Sequence, residues 1–141
     1  MEKSENISNL ALSLSLLQGE IKDVHKDKKG YGYSYADLSS VLEIIRPLLS
    51  KYKLALAQLP GCIGERLSLT TMLMHESGQW ISSTIEMPIE KAKNMSLAQA
   101  TGSVMTYARR YALAAIMGVA QTDNDASIVC NPEVRNSAPE Q

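Results

Sequence analysis

The sequence predicts an α+β domain, an antiparallel three-stranded β-meander packed by helices and closed by a long C-terminal helix. Three observations carry this. Apolar residues recur at helical spacing over residues 7–24 and again from Leu38 to Leu49. Between residues 54 and 88 the pattern changes to three β-rich runs, two of them separated only by Ser77 and Gly78. A helical and almost wholly apolar stretch then follows, MTYARRYALAAIMG at 105–118. Helix, helix, three strands and helix, in that order, fit a meander backed by helices.

The first helix carries Ile7, Leu10, Ala11, Leu14, Leu17, Ile21 and Val24 on one stripe, with Ser4 placed to cap it. Its apolar centre is flanked by acidic residues, and no small-residue cleavage site follows. It therefore reads as a cytoplasmic helix rather than a secretory leader. The charged break HKDKKG, 25–30, ends it at Gly30. The second helix starts near Tyr35 or Asp37, and its stripe is Leu38, Val41, Leu42, Ile45, Leu48 and Leu49. Pro47 removes a backbone donor there, and Lys51 and Lys53 put positive charge at the favourable C-terminal end.

The runs LALAQLP (54–60), RLSLTTMLMHE (66–76) and QWISSTIEMP (79–88) are the strands, with PGCIGE as a turn-rich connection. A two-residue Ser77–Gly78 turn sets Met74 opposite Ile81, Thr71 opposite Thr84 and His75 opposite Trp80. Both sheet faces are then mixed in polarity. The basic loop IEKAKNMS, 89–96, leads to the last helix, 97–118, with Ser96 as its N-terminal cap and Gly118 as its stop. Three segments result: an N-terminal helix and charged linker (1–29), a core domain (30–119) and an acidic flexible tail (120–141).

With 141 residues, 45% hydrophobic and 21% charged, the chain suits one globular domain with a real core. Its net charge of −1 argues against a strongly basic binding protein. The distribution is uneven, however: residues 1–119 carry +2 and residues 120–141 carry −3. Cys62 and Cys130 lack metal-ligand spacing and suit free thiols in a reducing compartment. No run of about 18 apolar residues is long enough to span a membrane.

Arg109 and Arg110 interrupt the apolar last helix, and a charge bound for burial is costly without compensation. On a helical wheel Val104, Tyr107, Ala108, Tyr111, Ala114, Ala115 and Gly118 form a small apolar face fit to meet the sheet. Gln99, Gly102, Thr106, Arg109 and Arg110 gather opposite. Guanidinium forks match phosphate oxygens, and Thr106 adds a donor. The alternative is that either arginine pairs with Glu86 or Glu43 and merely ties helix to sheet. Beyond Leu113 the helix is apolar all round, which implies deep burial or a neighbouring subunit.

Lys51, Lys53, Arg66, Lys91 and Lys93 can extend a phosphate-tracking groove, though each alone also reads as a solvated surface charge. Tyr31, Tyr33 and Tyr35 alternate in GYGYSYADL. Tyr31 and Tyr33 are candidates to stack unpaired bases, whereas Tyr35 reads as core packing. Asp123 and Asp125 read as a charged helix terminus or a salt bridge to a neighbour's arginine rather than a divalent-metal site. With His75 and Glu76 they are the only carboxylate and imidazole candidates for a metal-dependent nuclease, and they lack ligand spacing. No phosphate-cradling Gly-rich loop points to a nucleoside triphosphate.

Three blocks together resemble a known family. They are YSYADLSSVLEIIRPLLSKYKLALAQ, LTTMLMHESGQWISSTIEMP and QATGSVMTYARRYALAAIMGVAQTDNDA. Their order and motifs, Thr-Tyr-Ala-Arg-Arg-Tyr after a glycine and the H-x-S-G-x-W hairpin, resemble the ERF (essential recombination function) family of phage single-strand annealing proteins. The resemblance implies ATP-independent binding of single-stranded DNA, pairing of complementary strands in homologous recombination, and assembly into rings or helical filaments. It further implies an annealing-recombinase-like β-β-β-α core, no catalytic residue, no cofactor or metal, and a place in the bacterial host cytoplasm. Stopping soon after the NDA segment, the sequence looks like a minimal annealing core. A purely oligomerising, protein-binding module remains the other reading.

Overall fold

The sheet has four antiparallel strands, one more than the sequence predicts. The computed structural model describes residues 1–27 and 38–119. Along the chain it contains β1 (Glu2–Lys3), α1 (Ser8–Asp27), α2 (Leu38–Lys51), β2 (Leu54–Ile63), β3 (Arg66–His75), β4 (Trp80–Pro88) and α3 (Leu97–Met117). Strand order is β1-β4-β3-β2. The additional strand, β1, sets Glu2 opposite Ser82 and Lys3 opposite Ile81. Two residues carry no readable period. The neighbouring Ser4 holds them in place, since Ser4 N–H donates to Trp80 O at 2.9 Å and Trp80 N–H to Ser4 Oγ at 3.1 Å.

Ser4 therefore stitches the chain to β4 instead of capping α1. The α1 N-terminus is served by Asn6, whose Oδ1 accepts from Ser8 N–H at 2.9 Å, and by a residue far along the chain. Gln79 Oε1 accepts from Asn9 N–H at 2.8 Å and from Leu10 N–H at 3.0 Å. A side-chain oxygen on the first free amides of a helix does the work of a cap wherever it comes from in the sequence.

The β3–β4 hairpin departs from the expected register by one residue. Met74 faces Trp80, Leu73 faces Ile81 and Thr70 faces Thr84. The connection is a three-residue loop, 76–78, with Gly78 left-handed at φ +90° and its N–H on His75 O at 2.9 Å. Within this loop His75 Nδ1 accepts from Ser77 N–H at 3.0 Å. Thr70 and Thr84 share a hydroxyl–hydroxyl bond of 2.8 Å across the ladder.

Strand β2 also runs past its expected end at Pro60, through Gly61 to Ile63, and the turn falls at Gly64–Glu65 with Gly64 at φ +62°. Proline is tolerated because β2 is an edge strand, where a missing N–H need break no ladder bond.

Period-two alternation sends Leu67, Leu69, Thr71 and Leu73 to the buried face of β3. All three helices cover that face. Around the middle and far end, Leu10, Leu17 and Ile21 of α1 meet Val41, Ile45, Leu48 and Leu49 of α2, together with Leu54, Leu73, Leu113 and Met117. A second cluster joins Leu67 and Leu69 to Ala108, flanked by Val104, Met105, Ala112, Ile85 and Met87. The stripe of α3 against the sheet is thus turned from the expected one: Met105 and Ala112 belong to it, while Tyr107 and Tyr111 stay half-buried and Ala115 is exposed. Ala108 accounts for this, since its small side chain lets the helix approach Leu67 and Leu69 closely. The all-round apolar end of α3 is explained within the chain, because α1 and α2 enclose Leu113 and Met117 where the sheet does not.

The caps of α3 are as expected. Ser96 Oγ accepts from Gln99 N–H at 3.1 Å and Gln99 Oε1 from Ser96 N–H at 2.9 Å, a reciprocal box. Gly118 closes the helix at φ +75°.

Candidate functional site

The polar face of α3 and the elements flanking it form the candidate site. Helix α3 runs in the same direction as β3. Its first half packs on Leu67 and Leu69, and its end packs near Leu73 and Leu54. The loop carrying Lys91 and Lys93 therefore meets the sheet at the end where Arg66 opens β3. Lys51 and Lys53 lie at the opposite end, nine residue steps or about 30 Å away along the ladder. The candidate cations form a line along the fold, not a cluster.

At the start of that line Lys91 and Lys93 are exposed. The loop continues into an open polar groove walled by Asn94, Met95, Gln99, Gly102, Ser103 and Thr106. Thr106 spends its own proton on Gly102 O at 3.0 Å, so its hydroxyl oxygen faces outward as an acceptor. Arg66 is exposed but engaged by Glu86 at 3.6 Å. Glu86, one of the two acids considered as partners for an arginine of α3, is thus taken by Arg66 instead.

The two arginines of α3 diverge. Arg110 folds back over its own helix, with its guanidinium 4.9 Å from the Tyr107 ring centroid and 5.4 Å from that of Tyr111. Its Nε and Nη2 are buried. A guanidinium over aromatic faces is attracted by their quadrupoles, and here that packs the half-buried flank of α3.

Arg109 turns the other way. It lines a cleft of about 210 Å³ with Leu42, Arg46 and Leu49 of α2 and with Leu56 and Gln58 of β2. Among the described residues the ion pairs are Lys51–Glu20 and Arg66–Glu86, and neither Arg46 nor Arg109 takes part in one. Gln58 fixes the spot, since its Nε2 donates to Arg109 O at 3.0 Å and to Thr71 Oγ1 at 3.2 Å.

Arg46 is a residue that sequence reasoning missed. The signal was present: Arg46 follows Leu42 by four and precedes Leu49 by three, so it shares the edge of their stripe on α2.

At the far end, Lys51 is bound to Glu20 Oε1 at 2.5 Å, and Tyr52 Oη donates to the same oxygen. The bond from Lys51, and then that from Tyr52, holds the Glu20 carboxyl below the usual carboxylate range. The bond to Glu20 raises Lys51 above the ordinary lysine value and likewise raises Tyr52. Lys53 is exposed at a positive φ of 61°, and its carbonyl accepts from Glu76 N–H at 3.1 Å.

Tyr31, Tyr33 and Tyr35 lie outside the described residues, as do Asp123, Asp125 and the acidic tail. Among the described residues no group of three His, Cys, Asp or Glu is arranged to hold a metal ion, and no helix is long and apolar enough to cross a membrane.

Comparison with known proteins agrees with the motifs. A family model described as the ERF superfamily matches residues 10–141. The Essential recombination function protein of Salmonella phage P22 is 29% identical over 109 residues, covering 76% of this chain and 53% of that protein. The chain thus spans about half the length of the curated relative that it matches. No solved structure matches.

Proposed function

The chain belongs to the ERF superfamily, and from that membership we propose that it binds single-stranded DNA and anneals complementary strands in phage recombination. No bond is made or broken in this activity and no nucleotide is consumed, and the setting is the cytoplasm of a bacterial host. The observation that carries the reading is Arg109, which lines an open cleft midway along α3 and, among the described residues, is paired with no carboxylate.

Arg109 and Arg46, the groove ending at Thr106, and Lys91 and Lys93 offer donors and positive charge along one side of α3. Neutralising phosphates releases counterions, which makes such binding sensitive to salt and indifferent to base sequence. The bases stay available, and Watson–Crick pairing with a second strand supplies the specificity. Lys53 extends the line. Lys51 and Arg66 contribute through residual charge only, since each already holds a carboxylate. Tyr31 and Tyr33 supply aromatic faces on which unpaired bases stack.

Assembly into a ring or filament of identical subunits is part of the same reading. Its support is the sheet: among the described residues β2 has a neighbour on one side only, and β1 covers β4 only at Ile81 and Ser82. Edges of this kind accept a strand from another copy. Leu113 and Met117 at the end of α3 are buried within the chain, so of that end only the exposed Ala115 and half-buried Ile116 are left for such a contact.

The test is an annealing assay with complementary oligonucleotides, Mg²⁺ and no nucleotide cofactor, alongside single-strand binding at two salt concentrations. Accelerated duplex formation with strand length unchanged is expected. Shortened strands would point to a nuclease. Absence of salt-sensitive binding would leave only an oligomerising module.

A further inference from the structure

We infer that the cleft between α2, β2 and α3 is a seat for one phosphate of a bound single strand, with Arg46 of α2 joining Arg109 of α3 in holding it. This rests on the single-strand reading above and extends it to Arg46, a residue not among the binding positions read from the sequence.

The lining divides by chemistry. Arg46, Gln58 and Arg109 supply the polar groups, while Leu42, Leu49 and Leu56 supply an apolar wall; among the described residues no carboxylate lines the cleft. Two positive charges brought to one small recess repel each other, and an anion between them turns that repulsion into attraction. The guanidinium is the side chain best matched to this, because its planar fork meets two phosphate oxygens at once. The leucines offer a surface to the sugar attached to that phosphate.

Size supports a single group. At about 210 Å³ the cleft is smaller than the roughly 300 Å³ at the low end of ordinary small-ligand pockets. It suits one unit of a polymer that continues outside it.

The seat is also pre-set. Gln58 ties the Arg109 carbonyl to Thr71 and so holds that turn of α3 against β2 before any ligand arrives. Less ordering then remains to be done on binding. The consequence is a path: a strand following α3 bends toward α2 at Arg109, and does not run straight to the end of the helix.

The test measures binding of a thymidine oligonucleotide by anisotropy over a series of salt concentrations, for the wild type, Arg46→Gln and Lys3→Gln. Lys3 lies in β1 at the opposite edge of the sheet and controls for net charge. Arg46→Gln is expected to lower the slope of log K against log salt by about 0.7, the value for one single-strand phosphate. Lys3→Gln is expected to leave it unchanged.

A second measurement needs no variant. In the wild type, the Nε–Hε resonances of both Arg46 and Arg109 are expected to shift when a short thymidylate is added. If the wild type binds but Arg46→Gln keeps its affinity and slope, or if only Arg109 shifts, the seat is overturned and the single-strand reading survives. If the wild type binds no single strand at any salt, both fall.

Discussion

Gln58 on the edge strand and Arg109 on the last helix are joined side chain to backbone, Nε2 donating to the arginine carbonyl at 3.0 Å. The same amide reaches Thr71 Oγ1 at 3.2 Å, and Thr71 is only 3% exposed. One side chain thus couples two strands to the turn of helix that carries the central cation.

Replacing Gln58 with Leu removes both bonds and leaves the Thr71 hydroxyl buried without this donor. A loss of about 1–3 kcal/mol is expected in urea unfolding. The double variant Gln58→Leu/Thr71→Val is expected to recover much of it, since a paired loss of polarity costs less than an orphaned group.

Arg109→Ala and Arg110→Ala are expected to separate. Arg109→Ala keeps the unfolding midpoint but weakens single-strand binding and flattens its salt dependence. Arg110→Ala removes a guanidinium from two tyrosine faces and lowers stability by about 0.5–2 kcal/mol. Equal effects of the two substitutions on both readouts would contradict the divergence of these side chains.

Glu20 predicts a pH response. Its folded-state pKa is depressed, chiefly by the bond from Lys51. Its contribution is therefore present above the ordinary carboxylate value of about 4.3 and is lost as pH falls through the lower folded value. Lys51 is raised, so its contribution is complete below the ordinary lysine value and is lost as pH rises through the folded one. Thermal unfolding of Glu20→Gln is expected to depend less on pH below about 5 than that of the wild type. The same substitution releases Lys51, so single-strand affinity at neutral pH is expected to rise.

Gln79 caps α1 from the β3–β4 hairpin. Gln79→Ala is expected to cost about 1 kcal/mol, within the range for lost caps. Gln79→Glu, which keeps the acceptor and puts negative charge at a helix N-terminus, is expected to cost less or nothing. Thermal unfolding midpoints of the two variants provide the check.

Local pattern determined a good deal of this molecule. The three helices, the three longer strands, the Ser96 cap and the Gly118 stop were all legible, because each depends on residues within a few positions of one another. The amphipathic first half of α3 was legible too, but it put Arg110 on the outward face with Thr106 and Arg109, whereas Arg110 folds over Tyr107 and Tyr111. The two-residue β1 was not legible, having no period to read. The hairpin register slipped by one residue because a Ser-Gly pair is compatible with a two-residue and a three-residue loop, and the structure closes the longer one with His75 paired to Gln79.

Tertiary packing alone decided the rest. Neighbours in sequence, Arg109 and Arg110 sit about 100° apart on the helix. Their fates depend on what lies beside each: α2 and β2 for one, the helix's own tyrosines for the other. Arg46 reaches the same cleft as Arg109 only because apolar faces distant in the chain bring α2 against α3. A periodicity within one segment carries no record of which segment it will meet.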